Sequence, residues 1–337
     1  MQSNIRLAID VDGGDVPANL VLDACKGFAQ SEHVHLFLCG QEDIISKSIS
    51  NWGDAKKRVT VVPSVGRIDM DTEPAVALRR IKDSSMHHCI KLHKSGEVDA
   101  VVSAGNTGAL VALSTVHLGL YSSVRRPAIC TQLPSQSGPF LMLDLGACVE
   151  CKASDLVSFA HLAAELAKSL DYENQKIALL NVGHESIKGN QLVKETAKLL
   201  DGHDHFIGFV EPTDLFKREA DIIVTDGFSG NLVLKSIEGT MKFLLSLIKK
   251  TVLSSIVMKL LSPLVKIVLS RALMPVHPDQ YNGAVLLGVR GIVVKSHGMT
   301  SIEGYRHAIR EALLLVEHDF VKNTNDSLAA ISDNIEV

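Results

Sequence analysis

Aromatic residues are scarce in this 337-residue chain: Phe, Tyr and Trp together make up 4%, with a single Trp. Any core must rest on small aliphatics, and a hydrophobic fraction of 46% supplies them. An excess of positive charge is missing too. The formal net charge is −4, which excludes a general affinity for nucleic acid and confines any basic surface to a local patch. No uncharged apolar run approaches the ~20 residues of a membrane span. MQSNIRLAIDV passes straight into a predicted strand, without the charged region and apolar stretch of a signal peptide. A cytoplasmic location is expected, with the six cysteines (Cys25, Cys39, Cys89, Cys130, Cys148, Cys151) reduced. Only Cys148 and Cys151 form a CxxC. With no second CxxC or HxxxH beside it, zinc lacks ligands, and the pair is either incidental or redox-active. There is no GxxxxGK[ST], no HExxH, and no GxGxxG after the first strand, which sets aside nucleotide triphosphatase, zinc-protease and dinucleotide-binding signatures. GFSG falls short of a nucleophile elbow because Asn231 stands where GxSxG needs glycine.

What is present is a repeat. VVSAGNTGALV (Val101–Val111) returns as IVTDGFSGNLV (Ile223–Val233), aligning Asp99 with Asp221, Gly105 with Gly227, Thr107 with Ser229 and Gly108 with Gly230. Each copy reads as a buried β-branched strand, a glycine turn and a helix, with the hydroxyl before the second glycine placed to cap it. Such a turn gathers free N–H groups at the positive end of a helix, a seat for phosphate or another anion; the alternative is a tight connection with no ligand.

The same unit recurs along the chain. IRLAIDV leads through DGGD into NLVLDACKGFA, FLMLDLG precedes a helix that Ser154 could cap, KIALLNVG leads through IKGN into QLVKETAKLL, and GIVVKSHG precedes a last long helix. Alternating strands and amphipathic helices predict an α/β fold, a three-layer α/β/α arrangement with a mainly parallel sheet, and no linker divides it. Ligands in such folds sit at the carboxyl ends of the strands, where DGGD, SAGNTG, LDLG, NVG, DGFSGN and KSHG fall. One stretch breaks the rhythm. From Gly239 to Pro278 there is no acidic residue, while lysines punctuate an apolar sequence. Its four-residue periodicity and Pro263 predict a protruding basic, amphipathic helical hairpin over residues 239–278, whose apolar face meets either a second subunit or an anionic bilayer. Lys249, Lys250, Leu253, Ile256, Val257, Lys259, Leu260 and Lys266 would make that contact.

Loops rich in Gly, Asn, Ser and Thr, three lysines (Lys188, Lys235, Lys295) and three acids (Asp10, Asp15, Asp226) suit an anionic substrate, with Asn amides to polarise a carbonyl. Acyl or phosphoryl transfer without a metal is the matching class.

IDVDGGD, DAVVSAGNTGAL, LDLGA, LLNVG, IKGNQLVKE, ADIIVTDGFSGNLVLK, YNGAVLLGV and GIVVKSHG occur in this order. The chain thereby resembles the phosphate acyltransferases of bacterial phospholipid synthesis, the PlsX family, from about Ile5 to Val316. The resemblance implies transfer of a long-chain acyl group from acyl carrier protein to inorganic phosphate without a cofactor. It also implies a homodimer, a fold similar to the isocitrate and isopropylmalate dehydrogenases, peripheral contact with the inner face of the cell membrane, and delivery of acyl phosphate to a membrane glycerol-3-phosphate acyltransferase. By motif, Lys188 and Asn231 become the catalytic pair. Substrate and phosphate binding fall to Asp10, Gly13, Gly14 and Asp15 of DGGD, to Ser103, Gly105, Asn106, Thr107 and Gly108 of the first copy, and to Asp144 and Gly146 of LDLG. Asn181, Gly189 and Asn190 around IKGN, Asp226, Gly227, Ser229 and Gly230 of the second copy, and Lys295 and His297 of KSHG complete the set. Cys148, His184 and Val285 depart from the family pattern, which has asparagine, an acid and proline there. Rival readings are a short-chain phosphate acetyltransferase using coenzyme A, a nicotinamide-dependent decarboxylating dehydrogenase, for which metal-binding aspartates and a cofactor loop are missing, and a non-catalytic membrane scaffold.

Overall fold

The computed structural model describes residues 4–173, 175–254, 268, 271 and 277–335. In chain order the first half runs β1 (Ile5–Asp10), α1 (Ala18–Ala29), β2 (Val34–Gly40), α2 (Glu42–Ile49), β3 (Val59–Pro63), α3 (Pro74–Arg80), α4 (Ser85–Lys94), β4 (Ala100–Ser103) and α5 (Thr107–Leu118). Then follow β5 (Ala128–Leu133), β6 (Phe140–Leu143), α6 (Ala153–Ser169), β7 (Ile177–Leu180), α7 (Gln191–Leu200), β8 (Phe206–Val210), β9 (Ile222–Val224) and α8 (Gly227–Ser254). The chain returns through β10 (Ala284–Leu287) and β11 (Ile292–Lys295) and ends on α9 (Ile302–Glu317) and α10 (Phe320–Ile335).

The strands form one sheet of order β3-β2-β1-β4-β11-β10-β5-β6-β9-β7-β8. Alternation along each strand splits the apolar residues between the two faces: Leu7 and Ile9 join one core with Ala100 and Val102, while Ala8 joins the other with Val101. Helices cover both faces, giving the three layers expected of a buried parallel sheet.

The order reads symmetrically outward from the central antiparallel pair β10 and β5. Each is flanked by an antiparallel neighbour, β11 or β6, then by the parallel strands β4, β1, β2 on one side and β9, β7, β8 on the other, with β3 added in parallel as an extra edge strand beyond β2. The two copies of the repeat are therefore β4 and β9 with their turns, one in each half. Their aligned aspartates do the same work. Asp99 accepts the backbone N–H of Arg6 at 2.7 Å and pairs with its guanidinium, while Asp221 accepts the backbone N–H of Lys176 at 3.0 Å and pairs with Arg218. Each carboxylate fastens the strand beside its own.

Three local expectations change. Thr107 and Ser229 do not cap their helices. Asn106 caps α5, its Oδ1 accepting Ala109 N–H at 2.9 Å, and Asp226 takes Ser229 N–H at 2.9 Å, because an amide or carboxylate one step outside the helix reaches N–H groups that an inside hydroxyl cannot. Nor does Ser154 cap α6: the cap is Lys152, whose N–H is held by Asp155 at 2.7 Å, and Asp155 is fixed in turn by Arg125. Finally, α8 runs unbroken through Gly239, so the basic stretch begins as the continuation of the helix opened by the second turn. One interior glycine costs only about 1 kcal/mol of helix propensity, too little to stop a helix already formed. Lys249 and Lys250 are exposed on it, and Leu253 lies in its last turn. Most of the rest of the expected hairpin, including Ile256, Val257, Lys259, Leu260, Pro263 and Lys266, lies outside the described residues.

Candidate active site

Parallel neighbours bring their carboxyl ends to a common rim, and the sheet has two. The first rim gathers the ends of β1, β4 and β11. At its base Asp10 is fully buried, accepting the hydroxyls of Ser85 at 2.5 Å and Ser103 at 2.6 Å. Burial pushes this carboxyl up to about 6, with the two hydroxyls pulling the other way. Gly13 packs so closely over it that a Cβ would lie 2.2 Å from Asp10 Oδ2. Gly14, at φ 76°, lies against the Ala104 carbonyl and is held by Arg67, so DGGD and SAGNTG lie in contact. Asp15 is exposed. Asn106, besides capping α5, donates its amide N–H groups to the carbonyls of Asp69, Met70 and Thr72. Above the cluster, Lys295 reaches the Ala104 and Ser296 carbonyls. Burial pushes its ammonium down to about 8, partly offset by the nearby Asp10 charge.

The second rim gathers the ends of β6, β9 and β7. Asp144, also fully buried, accepts the N–H groups of Ile129, Gly146, Ala147 and Cys148 at 2.6–3.0 Å. Burial raises this carboxyl and the four donors oppose the rise. The second turn closes over it: Gly227 N–H donates to the Cys148 carbonyl at 2.9 Å, and a Cβ on Gly230 would stand 2.0 Å from the Asp144 carbonyl. Asn181 folds its amide onto the Gly183 carbonyl at 3.0 Å, Gly189 (φ 88°) packs on Asn181, and Asn190 caps α7 through Val193 N–H. The buried Asp10, Asp144, Asn106 and Asn181 and the exposed Asn190 all make hydrogen bonds that shape these loops.

Groups left to face solvent are fewer. Lys188, 46% exposed, pairs with Glu185 at 2.8 Å, which raises the lysine and lowers the glutamate. Asn231 is exposed just past the first turn of α8, beside Gly146, and its amide has no partner among the described residues. Lys188 and Asn231 thus share the second rim, while Lys295 and His297 belong to the first. In a flat sheet those rims would face opposite ways. Twist of about 20–25° per strand accumulates to roughly 100–125° over the five steps from β4 to β9, and α8 then spans the gap. Seven residues beyond Asn231, about 10 Å of helix, the Glu238 carboxylate comes within 3.6 Å of His297 Nε2 and within 3.0 Å of Lys235 Nζ. Burial is also the main cause holding His297 below its ordinary value.

Free backbone donors differ between the copies. Among the described residues no protein acceptor takes the N–H of Asn106, Thr107 or Gly108 at the first turn. At the second, Gly227, Ser229 and Gly230 all donate within the protein, leaving Phe228.

The chain matches the family described as "Fatty acid synthesis protein" over residues 5–323. It belongs to that family. A protein named phosphate acyltransferase from Pseudoalteromonas atlantica is 42% identical over 331 residues, spanning 96% of this chain and 97% of that one. Another of that name from Moritella marina is 41% identical, spanning 97% and 99%. Among solved structures, a phosphotransacetylase from Streptococcus pyogenes superposes with a TM-score of 0.63 at 16% identity, covering 93% of this chain and 94% of that one. A branched-chain phosphotransacylase from Enterococcus faecalis V583 gives 0.56 at 17%, covering 93% and 99%. At such identities the superpositions speak for the fold alone.

Two of the three departures from the family pattern find local reasons. The family member's His184 bonds Asp214 at 3.1 Å and lies near Glu211, where an acid would meet two like charges. Val285 lies buried in β10 opposite Cys130 and Val294, inside a ladder that proline would interrupt. Ser85 and Glu238 escaped the sequence reading. Ser85 sits in SSMHHC and Glu238 mid-helix, and no spacing ties either to a glycine turn.

Proposed function

We propose that this enzyme transfers a long-chain fatty acyl group from acyl carrier protein to inorganic phosphate, giving acyl phosphate for phosphatidic acid and phospholipid synthesis. Near-full-length membership of a family whose relatives are named phosphate acyltransferase carries the reading. Phosphate is anionic at neutral pH, so the site must hold and aim it more than deprotonate it. Three free N–H groups at the first helix start favour that rim for phosphate, with Lys295 beside it. Lys188 supplies a movable charge from the second rim, meeting phosphate where it must approach the thioester beside Asn231: its pair with Glu185 is exposed, such pairs are worth little, and exchanging it for phosphate costs little. As phosphate oxygen adds to the thioester carbonyl carbon, negative charge gathers on the carbonyl oxygen, where the unpartnered Asn231 amide donates. Collapse expels the carrier thiolate, which takes up a proton. No acyl-enzyme forms.

Exposed Val149, Val182, Ile187, Phe228 and Leu232 crowd the second rim. Phe228 and Leu232 share a helix face with each other. This apolar collar suits an aliphatic chain and favours a long-chain donor over acetyl coenzyme A. Farther along α8, Phe243, Leu244, Leu245, Leu247 and Ile248 are exposed among Lys242, Lys249 and Lys250. No helix among the described residues is long and apolar enough to cross a membrane. The helix instead offers a basic apolar surface for an acidic carrier protein, a second subunit or the inner face of the membrane, where a glycerol-3-phosphate acyltransferase would take the product. Liposome binding that survives exchange of these apolar residues for polar ones would end the membrane role.

The test is thiol release from palmitoyl acyl carrier protein with and without phosphate, with hydroxylamine trapping acyl phosphate. Phosphate-dependent release with trapped product is expected. Release from acetyl coenzyme A alone would assign the short-chain reaction, and no release would leave a scaffold.

A further inference from the structure

Two thiols stand at the foot of the second turn and take no part in the reaction above. Cys148 and Cys151 bring their sulfurs within 2.7 Å, and Cys151 Sγ also lies 3.0 Å from the Cys148 carbonyl oxygen. Cys148 is buried and Cys151 half-buried, so the pair can be reached from one side. Of the remaining cysteines, Cys39 and Cys89 also meet, but both are fully enclosed. Among the described residues no third His, Cys, Asp or Glu joins to make a metal set. The Cys148 peptide is part of the clasp of the second turn: its N–H bonds Asp144 at 2.6 Å and its carbonyl receives Gly227 N–H at 2.9 Å.

We propose that Cys148 and Cys151 form a reversible dithiol–disulfide couple, a covalent modification site set into the loop that anchors the second turn. The sulfurs need close only to about 2.05 Å to bond. With a low-molecular-weight disulfide as oxidant, the Cys151 thiolate attacks one of its sulfurs and releases the first small thiol. Cys148 then attacks the mixed disulfide at the Cys151 sulfur and releases the second. The protein loses two protons and two electrons, and both small thiols carry them away. Burial raises both protein thiols above their ordinary value, so the exchange is slow at neutral pH. Oxidation removes the S–H donor from the Cys148 carbonyl and ties its peptide to the residue before Lys152, the cap of α6. The carbonyl turns from Gly227, and turnover falls. This last consequence rests on the proposed acyl transfer; the covalent bond does not.

The full chain is equilibrated in glutathione buffers of graded ratio, its free thiols are alkylated, and the digest is read by mass spectrometry beside phosphate-dependent thiol release. A linked Cys148–Cys151 peptide lighter by two hydrogens is expected, reversed by dithiothreitol, with turnover lowered severalfold on oxidation and restored on reduction. Cys151→Ser should show no link and equal turnover in both buffers. Absence of the linked peptide at every ratio that leaves the circular dichroism intact would overturn the couple. A linked peptide with undiminished turnover would overturn its control of the site. A parent inactive even when reduced would count against the acyl transfer, and the peptide would still decide the couple.

Discussion

Replacing Gly230 with Ala puts a methyl 2.0 Å from the Asp144 carbonyl oxygen and 2.9 Å from Thr225 Cγ2, where ordinary contact begins near 3.4 Å. Relief requires more than an ångström of movement, and the obstructing oxygen belongs to backbone pinned by Asp144 N–H to Thr225 at 3.0 Å. Overpacking of this kind costs about 1–3 kcal/mol, and a fixed backbone places the cost at the upper end; alanine returns up to about 1 kcal/mol of helix propensity. The net loss is about 2 kcal/mol. The aligned Gly108→Ala makes the internal control. Its methyl meets Pro74 Cγ at 2.9 Å, with Asn106 Oδ1 at 3.5 Å and Pro74 Cδ at 3.8 Å at ordinary contact, so a side-chain ring on α3 must yield a few tenths of an ångström. Propensity offsets that, and the variant should fall within about 0.5 kcal/mol of the parent. In thermal unfolding followed by far- and near-ultraviolet circular dichroism, two probes because a chain this long need not unfold in one step, the Gly230→Ala midpoint should fall by roughly 3 °C. Equal losses in the two variants would refute the claim that the second turn is the more tightly clasped.

Asp10 titrates higher in the fold, at about 6 against 3.8, so its protonated form is favoured: its contribution is best below pH 4, declines as pH rises to 6 and stays flat above. The decline is at most about 3 kcal/mol; Asp10→Asn should flatten it in urea midpoints taken at pH 4.5 and 7, and a constant gap between parent and variant would contradict the burial. Lys295, lowered to about 8, is partly neutral at pH 8, so phosphate binding there should take up a fraction of a proton. Titration calorimetry in buffers of different ionisation enthalpy reads the uptake, which Lys295→Met should abolish. Asn106→Ala loses a helix cap and leaves three carbonyls without their donor; a destabilisation of about 2 kcal/mol or more is expected in denaturant unfolding, and a loss under about 0.5 kcal/mol would contradict the role.

Glycine turns between β-branched strands and amphipathic helices are local signals, which is why the repeat, the α/β class and the loops of both rims were legible in the sequence. The matching roles of Asp99 and Asp221 show that even their first aligned pair carried structural meaning. What the sequence hid is non-local. The symmetric strand order depends on β10 and β11 returning to the centre from the far end of the chain. Ser85 reaches Asp10, and Glu238 reaches His297, through packing that no spacing encodes. Caps were misplaced by one to three residues because several neighbouring side chains could serve and only geometry chooses among them. What Asp10, Asp144, Asn181 and Asn190 do within the fold was hidden for a related reason: they have the right chemistry for a ligand, and only the packed structure shows the hydrogen bonds by which they shape the loops themselves.

The proposed reaction divides the labour, with Lys188 holding phosphate and Asn231 stabilising the oxyanion. Steady-state kinetics of phosphate-dependent thiol release for Lys188→Ala and Asn231→Ala test it most directly. Asn231→Ala should lower kcat on the order of 10² to 10³-fold with little change in the KM for phosphate, and Lys188→Ala should raise that KM markedly. Both variants turning over like the parent, or an Asn231→Ala effect confined to KM, would contradict it.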